Sequence, residues 1–137
     1  MALTEIEVRM HMRDRSAADH LVQPDIVFTS EEIALAMRTC GRKFNSMLPT
    51  SMNVNINSLP ESHMCFLDGT VAALFDIACV NASLNDGDFS VSGITANIAG
   101  PLRAACETLS KFYWERFEAE AKALKINANI NACYGVL

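Results

Sequence analysis

The sequence predicts a mainly α protein, a small bundle of about four helices with short extended segments and an extended C-terminal arm. Three observations carry that reading. Two short strings have the residues of a helix capping box, Thr4 with Glu7 and Thr29 with Glu32. Met64 to Leu84 is a long apolar stretch without strand-like alternation, and Gly100-Pro101 opens a segment rich in helical charge pairs.

In Leu3 to Arg13 two signals compete. Ile6, Val8, Met10 and Met12 alternate with Glu5, Glu7, Arg9 and His11, which is strand periodicity. The helix is preferred, because Thr4 and Glu7 can cap it, Leu3 and Val8 can staple it, and Glu5 and Arg9 stand at salt-bridge spacing. Asp14 to Pro24 reads as a polar connection anchored by Leu21-Val22. The second helix starts at Phe28-Thr29-Ser30, with Glu32 closing the box and a Phe28–Ile33 staple. Ile33, Met37, Cys40 and Phe44 form its apolar face, and Pro49 ends it. Ser51 to Leu59 alternates in twos around Val54 and Ile56, which predicts a short half-buried strand bounded by Pro60.

The third helix, Met64 to Leu84, is apolar nearly all round and must be enclosed on most sides. So small a domain has few elements to enclose it, so oligomerisation is expected. Asp68 and Asp76 lie about two turns apart and share a face, which looks into water or a subunit contact unless one carboxylate is catalytic. Asn85 to Asp88 is a turn cluster, and Phe89 to Gly100 reads as extended or loop. The fourth helix starts at Pro101 and runs to about Leu124. Leu102, Cys106, Leu109, Phe112, Tyr113 and Phe117 are its predicted buried stripe, with Trp114 on the charged face. Residues 1–125 would then be the helical domain and 126–137 the arm, since Ile126 to Ala132 again alternates in twos.

The 137 residues, 50% hydrophobic and 20% charged, make one domain of ordinary size. The net charge of −5, with basic residues scattered, gives no phosphate grip. Five cysteines without a CxxC pair argue against zinc and for reduced core thiols in a reducing compartment. Cys133 alone is placed for an intersubunit disulfide. Met1 to Met10 lacks the pattern of a signal peptide, and Asp68 and Asp76 interrupt the most apolar stretch, so no membrane association is expected. GxGxxG, GxxxxGK[ST], HExxH and GxSxG are all missing, and His11, His20 and His63 read as surface histidines. No catalytic residue, cofactor or metal ligand is expected. Trp114 is the best candidate contact residue, its alternative being a ring lying flat over Lys111 or Arg116. The other candidates lie in the arm, Ile126, Ile130, Tyr134, Val136 and Leu137, which could add to the sheet edge of a partner.

Arg9 to Asp14, Val27 to Met37, Phe44-Asn45, Leu48-Pro49, Leu67-Asp68-Gly69, Lys125-Ile126-Asn127 and Tyr134-Gly135, in that order, resemble the head-to-tail connector proteins of tailed bacteriophages, also called adaptors or neck proteins. The resemblance extends along nearly the whole chain. It implies a structural virion protein at the head-tail interface, present in host cytoplasm during assembly. Its copies would form a ring, commonly dodecameric, with the portal protein on one side and the tail or a second neck protein on the other. DNA would be only the cargo of the channel, and an acidic subunit suits passage rather than grip. A different likeness competes: Gly69 to Asp76 is similar to the start of the central helix of hot-dog-fold acyl-CoA thioesterases and acyl-CoA-binding proteins, in which Asp76 would act on the thioester. That fold needs several long antiparallel strands after the helix.

Overall fold

The computed structural model describes residues 1–12, 28–49, 52–84, 89–91, 94–96 and 99–134. It is mainly helical, with α1 Glu5–Met12, α2 Ser30–Ser46, α3 Met64–Leu84 and α4 Ala99–Tyr134. Strands β1 Phe89–Val91 and β2 Ile94–Ala96 pair antiparallel, Phe89 opposite Ala96 and Val91 opposite Ile94, on the connection between α3 and α4. The predicted connection at Asp14–Pro24 and turn at Asn85–Asp88 lie outside the described residues.

Both capping boxes form. The Thr4 N–H donates to Glu7 Oε2 at 2.7 Å and the Glu7 N–H donates back to Thr4 Oγ1 at 3.4 Å. Thr29 Oγ1 accepts from the Glu32 N–H while the Thr29 N–H donates to Glu32 Oε2. Each threonine thus satisfies helix-start donors locally, which settles helix against strand for α1. Glu5 then ties the two starts together, accepting from Arg9 Nε at 2.8 Å and from Ser30 Oγ at 2.9 Å.

The core lies between α2, α3 and α4, with Val8 of α1 and Leu59 sealing one end. α3 and α4 run antiparallel: Arg103 meets Cys79, Ser110 meets Ala72, and Arg116 meets Asp68. The three helices converge at Gly69, where an added Cβ would stand 2.5 Å from Cys40 Sγ and 2.7 Å from Phe117 Cδ2. Glycine there is a requirement of close approach. Cys40, Cys65 and Cys106 are buried, as their apolar settings predict. Burial pushes the Cys40 and Cys65 thiols up to about 12, so both stay protonated.

Two expectations need correction. Residues 52–59 form no strand: the Val54 N–H donates to Asn45 Oδ1 at 2.8 Å and the Val54 carbonyl accepts from Asn45 Nδ2 at 3.0 Å, so one side chain of α2 takes both bonds a partner strand would take. The predicted extended C-terminal arm is likewise helical through Tyr134, α4 being 36 residues long. Extending an existing helix adds one hydrogen bond per ordered residue with no new nucleation cost, and Ala, Ile and Asn satisfy a helical period as readily as a period of two. Lys125 fastens the extension. Wholly buried, it donates to the Met47 carbonyl beyond the end of α2 at 2.7 Å and stands 4.8 Å over the Phe44 ring.

Candidate functional site: the outer faces of the long helix

α4 presents three faces along its axis. The packed face carries Cys106, Ser110, Phe117, Ala121 and Lys125, spaced by one or two turns. Leu109 and Phe112, predicted to lie in this stripe, are instead 41% and 50% exposed, and Ser110 takes the inward position. The cause is Asp76. Its carboxylate accepts hydrogen bonds from the Ser110 hydroxyl and from Trp114 Nε1, the latter at 2.8 Å, so α4 turns its polar donors toward α3.

The charged face is centred on Lys43 and Glu118, paired at 3.0 Å. Lys43 Nζ also stands 3.9 Å from the centroid of the Trp114 ring, a cation–π contact. Trp114 is therefore half-buried, edge-on to Phe117, under Lys43 rather than over Lys111 or Arg116. A shallow groove of about 430 Å³ opens beside it, lined by two lysines and four carboxylates. With both signs present, no single-sign ligand is favoured. The shared face of Asp68 and Asp76 turns toward α4, which buries Asp68, whereas Asp76 stays exposed while it accepts from Ser110 and Trp114. Asp68 is 1% exposed, neither of its oxygens has a hydrogen-bond partner among the described residues, and Arg116 Nη2 lies 3.6 Å away. Burial pushes its carboxyl above the usual range; Arg116 opposes that shift, Glu120 adds to it and His11 opposes it.

The third face is apolar and uncovered. Leu109, Phe112, Ile126 and Ile130 are 41 to 50% exposed, and Ala119 and Ala123, also exposed, continue the line between them. The steps of three and four residues, with Arg116 completing the series, make a heptad seam of the kind that meets another helix. On α1, Ile6 and Met10 are 70% and 63% exposed, and they too stand one turn apart. Ile126 and Ile130, expected on an arm, thus stand on the helix α4. Tyr134 closes the last turn, and Val136 and Leu137 lie outside the described residues. Missing from the sequence-based candidates were Leu109 and Phe112. Their signal was present as a second series of three- and four-residue steps, offset from the packed one, which merges with it when all apolar positions are assigned to one stripe. No family model, curated protein or solved structure matches the chain.

Proposed function

We propose that the chain is a structural subunit of the ring that joins the portal of a tailed-bacteriophage head to its tail or neck, with its partners as other copies, the portal protein and the next neck protein. The observation that supports this most is the uncovered apolar seam on α4, because a helix of about 54 Å with a second apolar face is built to meet neighbours. The acidic net charge is compatible with a channel that passes DNA without holding it. The thioesterase reading finds little to stand on. The strands described after α3 have three residues each, far short of a sheet that wraps a helix, and Asp76 is occupied by Ser110 and Trp114.

The test is electron microscopy and mass spectrometry of intact particles. The expected result is this chain below the portal at the copy number of a ring, with incorporation lost on deletion from Ile126 onward. Particles that lack the chain, or that take up the truncated subunit at normal copy number, would refute the proposal.

A further inference from the structure

We infer that the α4 seam of the free chain is covered by the same seam of a second copy, running antiparallel. The inference goes beyond the connector reading and stands without it.

The charges beside the seam select the arrangement. In a heptad seam the layers are made by Leu109, Phe112, Arg116, Ala119, Ala123 and Ile126, with Glu115 and Lys122 along one edge and Tyr113 and Glu120 along the other. A parallel, in-register pair would set Arg116 against the partner's Arg116 in the seam itself, and would place Glu115 beside the partner's Glu120. Both contacts are repulsive. In an antiparallel pair the same edge of each helix meets its twin. One register then sets Leu109 opposite the partner's Ile126, Phe112 opposite the partner's Ala123 and Arg116 opposite the partner's Ala119. Each large side chain there faces a small one, except Leu109 and Ile126, which face each other at the two ends, and this allows close interdigitation. The same register brings Glu115 against the partner's Lys122, and by symmetry Lys122 against the partner's Glu115.

Two structural facts fit this occupant. α4 outreaches α3 by 15 residues, 36 against 21, so its C-terminal part has no helix of α3 alongside. In addition, Arg116 pairs at 3.6 Å with the buried carboxylate of Asp68, which has no hydrogen-bond donor among the described residues, yet the Arg116 side chain is 47% exposed at the centre of the seam. Covering the seam removes water from around Arg116 and strengthens its attraction to Asp68, an interaction that bulk solvent otherwise screens.

The experiment is sedimentation equilibrium of the full chain, with far-ultraviolet circular dichroism on every variant. Wild type is expected to form dimers, and Ile126→Glu to be monomeric with an unchanged spectrum, since the position is at the surface. Glu115→Lys sets lysine against lysine and is expected to weaken the dimer roughly tenfold, as is Lys122→Glu. The double variant, with the charges exchanged, is expected to recover wild-type affinity. A wild type that stays monomeric to its solubility limit overturns the inference. So does an assembly of any size that ignores Ile126→Glu, or one that the double exchange fails to restore. These results leave the connector proposal to be decided by the particles, and a chain found in no particle leaves the dimer measurement intact.

Discussion

Gly69→Ala tests whether the meeting of three helices at one residue limits the stability of the fold. In an exposed helix the substitution would stabilise by about 1 kcal/mol, because alanine restricts the unfolded chain and favours helix. Here the new methyl would sit 2.5 Å from Cys40 Sγ and 2.7 and 3.1 Å from Phe117 Cδ2 and Cε2. Ordinary contacts need roughly 3.5 Å or more, so α2 and α4 must both move outward by up to about 1 Å. Overpacking of this kind costs about 1–3 kcal/mol, and the upper half of that range applies because neighbours on two helices are displaced together. After the propensity gain a net loss of about 1–2 kcal/mol remains, or roughly 3–8 °C in Tm for a chain of this size. Urea unfolding followed both by circular dichroism and by the fluorescence of Trp114, the single tryptophan, measures it. Cys40→Ala removes the nearest obstacle, so the double variant should lose less than the two single losses added together. Gly41→Ala is the control: its nearest neighbours, on Ile56 and Leu59, are 3.1 Å away, and its loss should be much smaller. A Gly69→Ala protein as stable as wild type, or a strictly additive double variant, would refute the close-approach argument.

Three other outcomes are expected. Asp68 has its carboxyl raised by burial, so the folded state holds the proton more tightly than the unfolded one; its ionisation therefore costs stability as pH rises through the folded value, and no cost is present below the unfolded value. Asp68→Asn should accordingly gain on wild type in urea titrations at pH 7 compared with pH 4, and a gain in the opposite direction would show that Arg116 outweighs burial. Lys125→Met should lower stability by about 1–3 kcal/mol by leaving the Met47 carbonyl without its donor, measured by the same titration; an unchanged midpoint would show that water replaces the ammonium. Thr29→Ala should cost about 1 kcal/mol through the lost cap of α2, and Thr29→Ser should recover most of it.

Several features of this chain are determined within a few residues of sequence. Thr4 with Glu7 and Thr29 with Glu32 mark their helix starts because the capping bonds join residues three apart, and no distant group can compete for them. The bounds of α3 follow equally directly, since Met64 to Leu84 is apolar nearly all round and a helix satisfies most of its backbone internally. The four-helix, mainly α class follows from these local signals. Ile126 and Ile130 could also be singled out as exposed candidates, although as parts of an arm and not of a helix.

The tertiary structure decided the rest. Val54 lost its predicted strand to Asn45, a competitor nine residues away whose amide supplies both a donor and an acceptor. Which apolar series of α4 faces inward was decided by Asp76, which draws in Ser110 and Trp114 and so leaves Leu109 and Phe112 at the surface. The helical course beyond Leu124 was decided with the help of Lys125, held by a carbonyl at the end of α2 that lies 78 residues earlier in the chain. In each case a local pattern allowed two conformations of similar energy. A polar group from elsewhere in the fold selected between them, through hydrogen bonds that the local sequence does not contain.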